Sequence, residues 1–156
     1  MPTWHYSYKT RDESKIAKAV LFDVDVSVKD MREVVNAIKG LKVDKAIEFL
    51  KKVIEKKEAI PFKRYKGKIA HRRGLAAKWK WASGRYPVKA AKHVLKLLEN
   101  VKNNAENKGL DTERLVIVHI VAHKGITIKR WMPRAFGRAT PKFDRRSNVE
   151  VVVMEV

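Results

Sequence analysis

Residues 115–156 read LVIVHIVAHKGITIKRWMPRAFGRATPKFDRRSNVEVVVMEV, in which two apolar segments flank a cationic one. Leu115 to Ala122 is apolar on both faces except for His119, a pattern that favours a central strand. The valine-rich segment from Val149 to Val156 predicts a second strand. Because consecutive strands usually pair as neighbours, residues 124–148 between them are predicted to form a very long antiparallel hairpin.

The segments before this hairpin predict a small α+β domain. Residues 20–26 show the two-residue period of a half-buried strand. Apolar residues at helical spacing predict helices over about 27–40, 44–57 and 87–109. The order strand, helix, helix, helix, strand, strand predicts an α+β fold: three helices packed on a small three-stranded antiparallel sheet, with a long protruding β-hairpin.

The length of 156 residues predicts a single domain, 1–156. Its globular body comprises residues 1–123 and 149–156, and the extended hairpin 124–148 projects from it. Residues 60–86 fit neither a helical nor a strand pattern, because aromatic side chains are scattered among cations and glycines. We expect this basic excursion to be irregular and to lie on the surface of the body.

The cysteine count excludes several classes of protein. With no cysteine, the chain has no disulfide, no thiolate nucleophile and no cysteine-bearing zinc or iron–sulfur site, which fits a reducing compartment. The longest apolar run falls well short of the ~18 residues that a membrane span needs. The first residues lack the apolar stretch of a secretory signal. We therefore expect a soluble, intracellular protein.

The positive charge is concentrated in two stretches. The chain holds 36 Lys and Arg against 17 Asp and Glu, a net charge of +19. Residues 59–98 hold twelve basic and no acidic side chains, and residues 124–146 hold eight basic side chains opposed only by Asp144. Together these stretches carry a charge equal to the whole excess. Since an ordinary solubilising surface mixes both signs, they indicate surfaces that bind a polyanion. An anionic membrane is a less favoured partner, because residues 59–98 show no long amphipathic helix with one cationic and one apolar face.

The hairpin is suited to enter folded RNA. If each arm has about 11 residues, at ~3.3 Å per residue the ribbon projects on the order of 35 Å, and such a ribbon is marginally stable alone. Phosphates crowded in RNA crevices would stabilise it, and Arg or aromatic side chains can stack on exposed bases. The residues expected to bind RNA are Lys63, Arg64, Lys66, Lys68, Arg72, Arg73, Lys78, Lys80, Arg85, Lys124, Lys129, Arg130, Trp131, Arg134, Arg138, Lys142, Arg145 and Arg146.

Other candidate sites have a more ordinary interpretation. Asp23 and Asp25 share a strand face, but no third ligand or base is identifiable, so a solvated face or a salt bridge to lysine is the better account. His119 and His123 share a face too, and His119 is more simply a hydrogen-bonded strand histidine. His71 and His93 lie among cations and can donate to phosphates, although an ordinary surface role is favoured.

Trp79 and Trp81 would face the same way in an extended segment, either to stack on bases or to close the core; both interpretations stay open. No phosphate-loop, zinc-protease or nucleophile-elbow motif is present. We therefore expect no enzymatic activity, no cofactor and no metal. On physics alone, a rival function is an architectural DNA-binding protein whose basic ribbon arm bends the duplex, although such a protein needs no second cationic surface.

The hairpin sequence resembles that of a known family. Residues 129–140, with the core PRAFGRA at 133–139, followed by Arg145-Arg146-Ser147 and a valine-rich strand, are similar to the universal large-subunit ribosomal protein numbered twenty-two in bacteria and seventeen in eukaryotes. The resemblance covers nearly everything from about residue 15 onward. The excursion ending in Gly84-Arg85-Tyr86-Pro87 resembles the archaeal and eukaryotic branch. One departure is Asn148, where bacterial members usually have His.

The resemblance implies a structural constituent of the large ribosomal subunit in the cytoplasm. The body would lie near the polypeptide exit site, and the hairpin would line the exit tunnel wall. Its partners would be several domains of the large-subunit rRNA (23S-type), neighbouring large-subunit proteins and the nascent polypeptide, with no membrane and no catalysis. A scaffold for nascent-chain factors is compatible with that role.

Overall fold

The computed structural model describes residues 4–10 and 12–156. Three helices longer than two turns pack on a three-stranded sheet, as predicted, and short elements fill the connections. In chain order the elements are β1 (Ile16–Val24), α1 (Val28–Ile38), α2 (Val43–Ile54), β2 (Ile60–Pro61), α3 (Leu75–Trp79), β3 (Gly84–Arg85), α4 (Val88–Asn107), β4 (Leu115–Ile128), β5 (Trp131–Pro133), β6 (Ala139–Pro141) and β7 (Asp144–Glu155).

The main sheet is antiparallel with the order β1-β7-β4. The prediction that Leu115–Ala122 is the central strand is therefore wrong, since β7 occupies the centre and β4 an edge. Residues 149–153 of β7 are all buried, as a strand between two others requires. The open side of β4 is covered by the α1–α2 connection: the Gly40 amide donates to the Ile117 carbonyl (3.1 Å), and the Ile117 amide donates to the Leu41 carbonyl (3.0 Å).

The core lies between the three long helices and one face of the sheet. Ala17 and Ala19 of β1 are buried, whereas Phe22 is 39% exposed. The two-residue period of residues 20–26 predicts that Phe22 shares the buried face with Val24, and its exposure differs from that prediction. The reason is an irregularity in β1: the β1–β7 register shifts between Leu21 and Val24, and Asp23 takes a positive φ of 44°. Before the irregularity the odd-numbered positions 17 and 19 face the helices, and after it the even-numbered Val24 and Val26 do.

The opposite face of the sheet is covered by the N-terminal segment around a buried carboxylate. Glu150 of β7 is fully buried. It accepts hydrogen bonds from Trp4 Nε1 (2.9 Å) and from the Ser7 hydroxyl and amide. His119 Nε2 lies 3.1 Å and His123 Nε2 3.5 Å from Glu150 Oε1, so His119 is the hydrogen-bonded strand histidine expected from the sequence. The cluster attaches residues 4–10 to the strand that continues into the hairpin.

Acid is expected to weaken this cluster. Burial alone raises the pKa of Glu150, but hydrogen bonds from Ser7, Trp4 and His119 outweigh it and lower the pKa from 4.5 to about 2. A lowered folded-state pKa stabilises the fold above about pH 4.5, and this contribution, on the order of 2 kcal/mol, is lost as the pH falls towards 2. Urea unfolding between pH 7 and pH 2 should show a smaller acid dependence for Glu150→Gln than for the native protein. The exposed α4 variant Glu106→Gln serves as control; equal acid dependence of the native protein and Glu150→Gln would contradict the assignment.

Candidate nucleic-acid interface

The side chains predicted to bind RNA lie on the surface in two groups. Those from Lys63 to Arg85 lie on the basic excursion, and those from Lys124 to Arg146 lie on the hairpin. All are exposed except Arg146, which is partly buried. A buried lysine or arginine could not reach a phosphate, so this exposure is the first requirement for the predicted role.

The basic excursion is more ordered than the sequence suggested. Ile60 and Phe62 are buried in the main core, and Leu75 begins the short helix α3. Strand β2 pairs antiparallel with β3, so the two ends of the excursion are joined. The expectation of an irregular surface segment is wrong in this respect, because the apolar triplet at residues 60–62 reaches the core.

A buried carboxylate on α1 organises the start of the excursion. Glu33 is 2% exposed and accepts three backbone hydrogen bonds, from the amides of Lys63 (3.1 Å), Arg64 (3.0 Å) and Tyr65 (3.0 Å). A carboxylate that accepts several backbone amides fixes the path of the chain that carries them. Glu33 therefore fixes the backbone that carries the exposed Lys63 and Arg64 and the partly buried Tyr65, without contributing an exposed negative charge.

The two tryptophans of the excursion have structural contacts rather than a shared stacking face. Trp79 ends α3, packs against the core and lies 6.0 Å from the Phe49 ring. Trp81 Nε1 donates to the Phe62 carbonyl (2.9 Å), and Lys66 Nζ lies 5.2 Å from the centroid of its ring. The extended geometry assumed from the sequence is absent at Trp79, because the helix turns it inward.

Gly84 is expected to be intolerant of a side chain. A Cβ added there would lie 2.6 Å from the Ile60 carbonyl oxygen and would collide with the Leu75 side chain. Since backbone cannot move aside without breaking the β2–β3 pair, Gly84→Ala should lower the free energy of unfolding by about 1–3 kcal/mol. The matched control is Gly67→Ala in the same excursion, where a Cβ meets open space. Equal thermal denaturation midpoints for the two variants would contradict this close approach.

The hairpin continues β4 and β7 beyond the body. Their pairing extends to Ile128 opposite Asp144, and β5 then pairs with β6 from Trp131 opposite Pro141 to Pro133 opposite Ala139. The tip closes where the Arg134 amide donates to the Arg138 carbonyl (2.8 Å). Two left-handed residues shape the turn, Phe136 with φ 58° and Gly137 with φ 63°. The long antiparallel hairpin inferred from the sequence is therefore present.

The base of the hairpin is held by the aspartate considered as a possible ligand. Asp23 Oδ1 accepts from the Ile126 amide (3.2 Å), and the Asp23 amide donates to Asn148 Oδ1 (2.7 Å). Asp25 instead pairs with Lys89 Nζ at 2.7 Å. Neither geometry is that of a carboxylate pair, and the salt-bridge interpretation holds for Asp25. Among residues 4–10 and 12–156, no three His, Asp or Glu side chains are placed to hold a metal ion.

The hairpin exposes aromatic and cationic side chains to solvent, and few of its cations are paired with a carboxylate. Phe136 at the tip is 93% exposed and Trp131 is 63% exposed. Within the described part of the chain, the only salt bridge formed by residues 124–148 pairs Arg146 with Asp144 (2.8 Å). The other hairpin cations have no carboxylate partner there; they are Lys124, Lys129, Arg130, Arg134, Arg138, Lys142 and Arg145.

The two cationic stretches meet at a cavity that the sequence analysis did not identify. It has a volume of about 760 Å³ and lies where the hairpin base meets the starts of α1 and α4. Tyr65 of the excursion and Phe143 of the hairpin line it together with Lys29 and Lys89. Lys29 lies in a nearly neutral part of the sequence, and Tyr65 and Phe143 are far apart in the chain. No sequence pattern could have shown that these residues converge.

Comparison with known proteins identifies the family. The family model described as "Ribosomal protein L22p/L17e" matches residues 19–154, which include the core elements and the whole hairpin. The chain belongs to the L22p/L17e ribosomal protein family. The resemblance inferred from residues 129–147 is thereby confirmed.

Full-length relatives support the assignment to the L22p/L17e family. "Large ribosomal subunit protein uL22" of Staphylothermus marinus is 71% identical over 156 residues, covering 100% of this chain and 99% of the relative. The protein of the same name from Aeropyrum pernix is 62% identical, with 100% of both chains covered. That from Archaeoglobus fulgidus is 55% identical over 95% of this chain and 94% of its own. These archaeal relatives carry the resemblance across the basic excursion as well as the hairpin.

The long helix α4 is amphipathic and interrupted by charge. Throughout the described residues, no helix combines the length and the apolar character needed to cross a bilayer.

Proposed function

We propose that this L22p/L17e family member is a structural constituent of the large ribosomal subunit that binds the large-subunit rRNA. It acts as one domain, in which the body of residues 1–123 and 149–156 carries the hairpin of residues 124–148. The eighteen side chains from Lys63 to Arg146 that the sequence singles out are its proposed RNA contacts. The protein has no enzymatic role in this proposal.

The observation that carries the proposal is the cationic hairpin. A ribbon that exposes Phe136 and Trp131 and leaves seven cations without carboxylate partners in the described chain is poorly stabilised by its own contacts. Phosphates supply the missing charge, and unstacked bases offer surfaces for the rings. Folded RNA provides both in crevices that are too narrow for a globular domain.

The second cationic surface supports a proposed contact between the body and the RNA as well. The excursion is fixed by Glu33 and by the β2–β3 pair, so its exposed cations form a preorganised patch. Phosphate contacts position a protein on RNA, and the shape of the RNA selects it, so sequence readout is not required. Cationic surfaces on both the excursion and the hairpin would allow contact with more than one rRNA domain, together with neighbouring large-subunit proteins.

The hairpin is proposed to line the wall of the polypeptide exit tunnel, with the body near the exit site. Its tip is narrow, and the small residues Ala135, Gly137 and Ala139 allow RNA backbone to approach closely. In that position the nascent polypeptide is a transient partner, and the protein functions in the cytoplasm within the ribosome.

Sedimentation of a cell lysate tests the proposal. The protein should co-migrate with large subunits after a high-salt wash, because many contacts are buried together in assembled RNA. Recovery mainly with chromatin would contradict the proposal and favour an architectural DNA-binding protein with a basic ribbon arm. Amide exchange on residues 124–148 should slow strongly when the protein is in the subunit; equal protection in the free protein would contradict stabilisation of the hairpin by RNA.

A further inference from the structure

The cavity between the hairpin and the body is bordered by both cationic stretches. Residue 65 of the excursion and residue 89 of α4 belong to the first cationic stretch, 59–98, and residues 124, 143 and 145 belong to the hairpin. Its volume of about 760 Å³ is within the ~300–1,000 Å³ typical of sites for small ligands. The cavity is large enough for one nucleotide but not for a nucleic-acid duplex.

Two aromatic rings line this cavity from opposite elements. The Tyr65 amide donates to Glu33 Oε1 (3.0 Å), and Lys29 Nζ lies 5.6 Å from the centroid of the Tyr65 ring. Phe143 is 41% exposed, and its ring is held edge to face by Trp131 at a centroid distance of 6.0 Å. An accessible ring beside a cavity is a stacking surface for an unpaired base.

Among the carboxylates that line the cavity, Asp30 is the one that forms no salt bridge with the described residues. Asp25 is paired with Lys89, and Asp144 is paired with Arg146. Asp30 forms no salt bridge within the described chain. Burial raises its pKa, a nearby Arg85 opposes this shift, and Glu33 adds to it. A partly buried carboxylate of this kind is stabilised by a ligand that donates hydrogen bonds.

Three cations at the cavity are available to an anion. Lys29, Lys124 and Arg145 form no salt bridge with the described residues, and Lys124 and Arg145 lie on the two arms of the hairpin. The phosphates on either side of a base that enters the cavity would lie near these arms. The cavity thus combines stacking surfaces, a free acceptor and cations for phosphate.

We propose that this cavity binds a single unstacked guanine nucleotide of the RNA, an inference that rests on the proposed RNA-binding function. Guanine presents two adjacent donors, N1–H and the N2 amino group, which match the two oxygens of the Asp30 carboxylate. Adenine and cytosine offer one exocyclic amino group, and uracil offers one N–H. The base stacks against Tyr65 or Phe143, and Lys124 and Arg145 bind its phosphates.

Nucleotide titration of the full-length protein tests the choice of base. GMP and AMP are added separately while the backbone amide NMR signals of residues 27–30 are followed. GMP should bind at least fivefold more tightly than AMP, and Asp30→Asn should remove this preference while leaving the protein folded. Equal affinity of the native protein for GMP and AMP would overturn the proposal, because it would indicate phosphate binding alone.

The affinity of the protein for large-subunit rRNA tests whether the cavity contributes to RNA binding. Phe143→Ala should weaken binding at least fivefold through loss of stacking. The matched control is Phe22→Ala, since Phe22 has a similar exposure of 39% but lies on β1, away from the cavity. Equal rRNA affinities of the two variants would overturn the cavity proposal and leave the proposed function standing. Failure of the native protein to bind the rRNA would contradict the proposed function instead.

Discussion

Glu33→Ala is expected to lower the free energy of unfolding by about 3–5 kcal/mol and to release the start of the basic excursion. The substitution removes the acceptor of the Lys63, Arg64 and Tyr65 amides at a site that is 2% exposed. Each hydrogen bond to a charged group contributes about 1.5–3 kcal/mol, and a buried donor left unpaired adds a desolvation cost. Urea unfolding gives the size of the effect, and amide exchange of residues 63–65 gives its location.

Two further variants make the Glu33 result specific. Glu33→Gln keeps one carbonyl acceptor without the charge, so its loss of stability should be intermediate. Glu99→Ala removes an exposed glutamate from α4 and should change stability by less than about 0.5 kcal/mol. If Glu33→Ala were no more damaging than Glu99→Ala, the excursion would be ordered by something other than the carboxylate.

The paired substitution Arg134→Ala with Arg138→Ala is expected to weaken binding to large-subunit rRNA by about tenfold at physiological salt. Both guanidinium groups are exposed at the hairpin tip, and each that binds a phosphate contributes about 0.7–0.9 to the slope of log affinity against log salt. The slope should therefore become shallower by between about one and two. Thermal stability of the free protein should hardly change, because neither side chain packs on the core.

Lys45→Ala with Lys51→Ala is the matched control for the hairpin pair. It removes the same charge from exposed positions on α2, in the nearly neutral part of the chain. Filter binding across a salt series should show a smaller loss of affinity than for the hairpin pair. An equal loss would mean that net charge, rather than the position of the charge on the hairpin, determines binding. If the hairpin pair lowered the thermal stability of the free protein as strongly as it lowered rRNA affinity, the tip would be shown to support the fold.

The pairing partners in the sheet show where sequence patterns stop being informative. Leu115–Ala122 is apolar on both faces, which is typical of a central strand, yet β4 lies at an edge. The second apolar face is explained by contacts that are distant in sequence: the α1–α2 connection covers its edge, and residues 4–10 cover part of the outer sheet face. Periodicity reports that a residue is buried but not which segment buries it.

The excursion and the cavity also show what sequence patterns can and cannot predict. The dense cations of residues 59–98 predicted an exposed polyanion-binding surface, and those cations are exposed. The role of Glu33 was not foreseen, because a glutamate on a helix is usually solvated and its contacts with residues 63–65 depend on how α1 packs. Likewise, Tyr65 and Phe143 line one cavity only because the tertiary fold brings the excursion and the hairpin base to opposite sides of it.

Amino-acid order alone determined the α+β class, the three long helices, the long hairpin and the two cationic stretches. Each of these depends on local spacing or on charge composition, which survive in the unfolded chain. Tertiary structure alone decided that β7 is central, that Glu33 and Glu150 are buried acceptors, and that a cavity separates the hairpin base from the helix starts. These features are contacts between distant segments, and their energies exist only once close packing has brought those segments together.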